Sequence, residues 1–418
     1  MSPAQPILST MPRVEIGRLV AQIEELAAIN RQADGSCARI ALSNADRQGR
    51  ELLVRWMKDA GLSVSIDPIG NVIGVSAGKA AVPPLMIGSH IDTVATGGRY
   101  DGAYGVLAGL EVVRAFRDAG VIPDRPIAVA AFTNEEGVRY QPDMMGSMVF
   151  AGSLSLEEAY ATRGTDGSIL KDELERIGFV GAAPLGEPRP AAYLELHIEQ
   201  GPILDRTGGT LGAVADLQGI SWQRVTVRGQ SNHAGTTPME MRRDAALTAA
   251  RVIVFVEALC GQLGRGQVAT VGQITLTPNL VNVVPGSACF TVDLRNADEA
   301  TLARSEAALV DFLEQACRAD GTEFEIQSLV RTSPVRFDQR IVEAIEQAAG
   351  ELGHDIIRMT SGAGHDAQMM ATICPSAMIF VPSIDGLSHN PAELTDPKHL
   401  EAGCETLLRV VMQLSAII

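Results

Sequence analysis

Apolar positions along the chain follow two different periods. Ile16, Leu19, Val20, Ile23, Leu26 and Ala27 recur at helical spacing and predict an opening amphipathic helix. Ser43 caps a second predicted helix, with Asp46 in its first turn, that runs through Leu52, Leu53, Trp56 and Met57 to a stop at Gly61. Short strands follow at 62–66 and 71–75. The stretches 85–87, 126–133, 192–196 and 377–381 are then apolar without alternation, as strands buried on both faces are. Polar clusters follow directly: His90 after the first, Asn134, Glu135 and Glu136 after the second, His197 after the third. The carboxyl ends of strands are where open α/β sheets bind ligands.

The pattern changes between 212 and 335. The segments 221–228 and 289–295 alternate like half-exposed strands, and 244–259 and 298–319 read as helices, which together suggest a separate α+β domain. A helix over 339–352, the loop SGAGHDAQMM, the strand at 377–381 and the loop IDGLSHNPAE resume the first pattern. The expected architecture is therefore an α/β domain of residues 1–211 and 336–418 with an inserted α+β domain of residues 212–335. A length of 418 residues suits two domains better than one.

Composition removes several classes of function. A net charge of −16 would repel a phosphate backbone, so nucleic-acid binding is disfavoured. No apolar run reaches the roughly 20 residues that span a bilayer. The opening MSPAQPILSTMPRVE has neither the basic start nor the apolar core of a signal peptide, so a cytoplasmic location is expected. The six cysteines are scattered with no Cys-x-x-Cys pair and read as reduced thiols.

The central stretch, LMIGSHIDTVATGGRYDGAYGVLAGLE, places His90, Asp92 and Asp101 on a strand end and a glycine-rich loop. By themselves these residues fit a metal site about as well as they fit an ordinary loop histidine beside an aspartate helix cap. With Glu135, Glu136, His197 and His389 added, the set is large enough for two divalent ions sharing a carboxylate. Two such ions roughly 3.5–4 Å apart can activate water and polarise a carbonyl. Glu135 and Glu136, being adjacent, point different ways, so one suits a ligand and the other a proton carrier.

The ordered motifs GSHIDTVATGGRYDGAYGVLAGLE, FTNEEGVRY, ELHIEQGP, SNHAGTTPM, NVVPG, DLR, SGAGHDA and GLSHNPAE resemble the two-metal amidohydrolases related to aminoacylases and carboxypeptidases. Within these they are most similar to the hydantoinase/carbamoylase-type amidases. The resemblance covers nearly the whole chain and implies a metallopeptidase-like catalytic domain with an inserted dimerisation domain. It assigns His90, Asp101 and His197 to one ion and Asp101, Glu136 and His389 to a second, the ions being zinc, manganese, cobalt or nickel. Asp92 would orient His90, Glu135 would be the general base, and His233 would stabilise an oxyanion. Gln200, Asn282 and Arg295 would hold the substrate, Arg295 through its carboxylate. Histidine at 197, where peptidase relatives tend to carry a carboxylate, favours ureido compounds over peptides.

The implied activity is hydrolysis of N-carbamoyl-L-amino acids or N-carbamoyl-β-alanine by a cytoplasmic homodimer, in which one subunit completes its neighbour's site. Allantoate, ureidoglycolate, N-acyl amino acids and dipeptides are the alternatives. Without the resemblance, Arg295 reads as a surface charge and Asn282 as a strand end. His365 is given only an ordering role, His354 and His399 match no motif, and Met144, Met145, Met369 and Met370 read as packing or pocket lining. A nucleotide-binding dehydrogenase lacks its G-x-G-x-x-G fingerprint here. A catalytically silent binding protein would be expected to have lost some of the ligands.

Overall fold

The computed structural model describes residues 11–264 and 266–417; the first ten residues of the opening stretch lie outside them. The strands, in chain order, begin with β1 (Ser63–Ile66), β2 (Val72–Val75), β3 (Leu85–His90), β4 (Ile127–Phe132), β5 (Ala192–Ile198) and β6 (Leu211–Leu217). Next come β7 (Gly219–Arg228), β8 (Asn232–His233), β9 (Val268–Thr270), β10 (Ile274–Thr277), β11 (Val283–Val284), β12 (Ser287–Asn296), β13 (Glu323–Thr332) and β14 (Val335–Arg336). The last two strands are β15 (Ile356–Ser361) and β16 (Ser376–Val381), followed by the helix Pro397–Ile417. Two compact units result, Met1–Ala215 with Phe337–Ile418, and Asp216–Arg336.

In the first unit the sheet order is β1-β2-β4-β3-β5-β16-β6, with β15 also paired to β6. Its centre is four adjacent parallel strands, β4, β3, β5 and β16, every residue of which is buried. Strands covered on both faces take apolar side chains at most positions, which is why these segments show no alternation. The helix Ala103–Asp118 buries nearly its whole length, from Ala103 through Phe116. Gly109 lets it pack closely, since a Cβ there would stand 2.9 Å from the Ile87 side chain. Each fully buried Val, Leu or Ile stabilises by about 1.5–3 kcal/mol, so this layer fixes the strand ends that carry polar residues.

Ser43 caps the helix Asn44–Asp59 by accepting from the Asp46 N–H, and Asp46 in turn pairs with Arg50 at 2.8 Å in the interior. The segment 154–190 holds two short helices, Leu156–Ala161 and Leu170–Ile177, the first opened by a capping box between Ser155 and Glu158.

The second unit is a five-stranded antiparallel sheet in the order β10-β12-β7-β13, with β9 also on β12. Strands β7 and β12 alternate buried and more exposed residues. Val225, Val227, Phe290, Val292 and Leu294 on their inner face meet Val252, Val256, Leu309 and Leu313 of the helices Ala245–Leu263 and Glu299–Asp320. The helix Ala245–Leu263 is, by length and composition, apolar enough to cross a membrane, although Arg251 and Glu257 interrupt its apolar run. Its inward stripe, with Ala249, Val252 and Val256, packs into the unit's core, while Leu247 and Val254 on its other faces are exposed.

Candidate metal centre

Four neighbouring parallel strands deliver their carboxyl ends to one place. His90 closes β3, Glu135 and Glu136 follow β4, His197 sits near the end of β5, and His389 lies in the loop after β16. Asp101 enters from the glycine-rich loop. It is not the helix cap: Gly102, at φ 62°, takes that position, and a Cβ there would stand 2.4 Å from the His90 ring. This tight passage turns the Asp101 carboxylate toward the histidines.

The two oxygens of Asp101 serve two groups. Oδ1 lies 3.2 Å from His197 Nε2 and 3.6 Å from His90 Nε2. Oδ2 lies 3.1 Å from His389 Nε2, which is 3.2 Å from Glu136 Oε2. His90, Asp101 and His197 thus form one cluster of donor atoms, and Asp101, Glu136 and His389 another. His90 Nδ1 meets the Asp92 carbonyl at 2.9 Å and His197 Nδ1 meets the Ile198 carbonyl at 2.8 Å. A carbonyl only accepts, so each neutral ring carries its proton on Nδ1 and turns the Nε2 lone pair to the centre. Mixed imidazole and carboxylate donors of this kind suit a borderline divalent ion. The donor set therefore fits the two ions that the sequence implies.

Electrostatics reflect this crowding. Burial works to raise the Asp101 pKa, but hydrogen bonds with His197, His389 and His90 hold it well below the usual carboxylate range. Hydrogen bonds to Asp101 and then Glu136 push His389 up to about 10. Burial lifts Glu135 well above its ordinary value, against the pull of His90, whose Nε2 is 3.4 Å from Glu135 Oε2. A carboxyl group so raised holds a proton more readily than an ordinary one, which suits it to take up and return one.

Other residues singled out in the sequence are distributed as follows. Asp92 meets His90 through its backbone, while its carboxylate accepts the Glu135 and Glu136 N–H groups, both at 3.3 Å. Gln200 donates to Asp101 Oδ2 at 2.9 Å. His365 is buried against the His197 ring, 4.6 Å between centroids, and burial drives its pKa well below 6.5, so it stays neutral. In the second unit, His233 Nδ1 accepts from the Gly235 and Thr236 N–H groups at 3.0 and 3.2 Å, which leaves the proton of a neutral ring on Nε2. The Asn282 carbonyl accepts from Ala234 beside it. Arg295 lies elsewhere in that unit, on β12, paired with Asp293 at 2.9 Å and with its guanidinium 6.0 Å from the Trp222 ring.

Sequence reasoning missed Glu195 and Glu393. Glu195 shares a strand face with His197 and accepts from Ser89 Oγ at 2.7 Å and the Ala367 N–H at 2.8 Å. A carboxylate inside the otherwise apolar run of β5 was its signal. Several site residues also hold a left-handed backbone: Asn134 at φ 57°, Met144 at 51°, Gln200 at 56° and His389 at 53°.

Residues 86–413, from within β3 to beyond His389, match the model of peptidase family M20/M25/M40. The N-carbamoyl-L-amino-acid amidohydrolase of Rhizobium meliloti is 40% identical over 407 residues, 97% of this chain and 98% of the relative. The allantoate amidohydrolase of Bacillus subtilis (strain 168) is 34% identical over 396 residues, 94% and 96% of the two chains. Among solved structures, an amidase of the hydantoinase/carbamoylase family from Burkholderia multivorans superposes with a TM-score of 0.93 at 43% identity, covering 97% of this chain and 98% of its own. With paired donor clusters at the strand ends and matches of this extent on either side of them, the chain belongs to peptidase family M20/M25/M40 and is a hydrolase.

Proposed function

We propose that this chain hydrolyses the ureido C–N bond of N-carbamoyl-L-amino acids or N-carbamoyl-β-alanine, as a cytoplasmic homodimer. One water is consumed, and the amino acid, ammonia and carbon dioxide are released. The observation that carries the reading is the division of Asp101 between two donor clusters, in a chain 40% identical to an amidohydrolase of that name. His90, Asp101 and His197 would hold one divalent ion and Asp101, Glu136 and His389 the second, with zinc, manganese, cobalt or nickel suiting the donors. When bound, such a pair supplies Lewis acidity toward water and a carbonyl oxygen.

The chain's own residues do the rest. Glu135 takes the proton of the attacking water and passes it to the leaving nitrogen. His233, with its Nε2–H free to donate, stabilises the oxyanion. Gln200, Asn282 and Arg295 hold the substrate, the planar guanidinium matching a carboxylate. Asp92 keeps Glu135 in place by accepting the Glu135 backbone N–H on its carboxylate. The second unit is assigned the dimer contact, a role tested by sedimentation of wild-type protein.

A second reading, allantoate as substrate, is supported by the 34% identity to the Bacillus subtilis enzyme. Both are separated by measuring ammonia release from metal-reconstituted protein offered N-carbamoyl-L-amino acids, N-carbamoyl-β-alanine, allantoate and ureidoglycolate in parallel. Release from a carbamoyl amino acid is expected. Release from allantoate or ureidoglycolate alone would replace the substrate, and silence on all four would defeat the ureido reading.

A further inference from the structure

Glu393 lies in the loop after β16, close in sequence to His389, and its carboxylate is buried. Oε1 accepts the backbone N–H of Tyr100 at 2.9 Å and of Asp101 at 3.3 Å. Oε2 accepts from Ser388 Oγ at 3.0 Å. Ser388 precedes His389 directly, and its Oγ also stands 3.4 Å from Asp101 Oδ2 and 3.3 Å from Gln200 Nε2. Thr96 Oγ1 adds a bond to the His389 carbonyl at 3.1 Å. Two loops nearly 300 residues apart in sequence are therefore joined through one carboxylate. Gly98 makes room for it, because a Cβ there would lie 2.1 Å from Glu393 Oε1.

We propose that Glu393 is a positioning residue that fixes Asp101 and His389 relative to one another, and thereby sets the affinity of the second cluster for its ion. Glu393 stands in none of the donor clusters found among the described residues, and its oxygens accept from N–H and O–H donors of the two loops, so the role is one of orientation and not of ligation. Backbone donors in a buried loop need a partner, and without Glu393 those of Tyr100 and Asp101 would have to find another by moving. Asp101 would move with them. The inference rests on the two-ion reading above, and the test separates the failure of either.

Metal-free wild-type protein and the variants Glu393→Ala, Glu393→Gln, Ser388→Ala and Asp101→Asn are titrated with Mn²⁺ alone by calorimetry, with thermal unfolding of each metal-free protein alongside. Glu393→Ala is expected to weaken the second Mn²⁺ by about 10–100-fold, the range seen when groups that orient metal ligands are removed. Glu393→Gln, which keeps the shape and an acceptor oxygen for the two N–H groups, is expected to restore binding close to wild type. Wild-type affinity in Glu393→Ala would overturn the proposal. A loss in Glu393→Gln as large as in Glu393→Ala would overturn it too, since that is the signature of a ligand. Should Glu393→Ala fail to fold, Ser388→Ala decides: a smaller weakening at unchanged metal-free melting temperature supports the clamp, and unchanged affinity defeats it. Asp101→Asn reports on the underlying reading, because two ions bound as in wild type would sink the shared carboxylate itself.

Discussion

His90 takes its orientation from the backbone carbonyl of Asp92, 2.9 Å from Nδ1, while the Asp92 side chain turns away to receive the N–H groups of Glu135 and Glu136. One residue thus joins two strand ends, holding the imidazole with its main chain and the paired glutamates with its carboxylate. Asp92→Ala is expected to lower kcat by about 10–100-fold. Because the carbonyl stays, Mn²⁺ binding at the cluster of His90, Asp101 and His197 should change much less. Kinetics beside calorimetry would show it, and parallel losses in both would contradict this division of labour.

Glu135→Gln removes the proton carrier and leaves both donor clusters intact. Turnover should fall by about 10²–10⁴-fold, the usual contribution of a general base. Metal content, measured by elemental analysis, should stay at the wild-type value. Substantial remaining turnover would take the role from Glu135.

Gly102→Ala would place a methyl group against the His90 ring, on a backbone at φ 62° that disfavours any side chain. Strain of this kind costs about 1–3 kcal/mol. Chemical unfolding of the metal-free variant should show that loss, and calorimetry a weakened first ion. A variant with unchanged stability would mean that the loop bends elsewhere.

Asp67 offers a stability test away from the centre. Burial raises its pKa to about 6, against the hydrogen bonds from Asn71 that favour the charged form. A folded value above the ordinary 3.8 means that the folded state holds the proton more tightly. Its stabilising contribution is therefore full below pH 3.8 and lost as pH rises through about 6. The loss is on the order of 3 kcal/mol for a shift of this size. Urea unfolding between pH 4 and 8 should give a decline in wild type that is flattened in Asp67→Asn; equal slopes would refute the assignment.

The elements that carry the centre were legible because their sequences are extreme. Strands β3, β4, β5 and β16 are buried on both faces and so are mostly apolar, and a histidine or glutamate at the end of such a run stands out. His90, Asp101, Glu136, His197 and His389 could be named for that reason, with help from the motifs around them. Pairings across the chain were not legible. Nothing in the sequence says that Glu393 reaches the backbone of Tyr100, or that Asp92 works through its carbonyl, since both depend on how distant loops meet. Asp101 was open to being a helix cap because aspartate caps helices often; the positive φ of Gly102 decides against it. The helix Ala245–Leu263 was legible as a helix from its sequence, and Val252, Val256 and Leu259 turn into an ordinary core.

The left-handed backbone at Asn134, Gln200 and His389 has a consequence for anyone wishing to engineer this protein. Such conformations cost on the order of 1–3 kcal/mol each, and glycine would relieve them. A search for heat-tolerant variants will therefore be drawn to these positions along with others such as Asn30 and Asp385, and glycine at Gln200 or His389 deletes the very side chain that the strained backbone aims at Asp101. Thermostability selected without a turnover screen would erode the centre, whereas the same effort spent on the outer faces of the helices would leave it untouched.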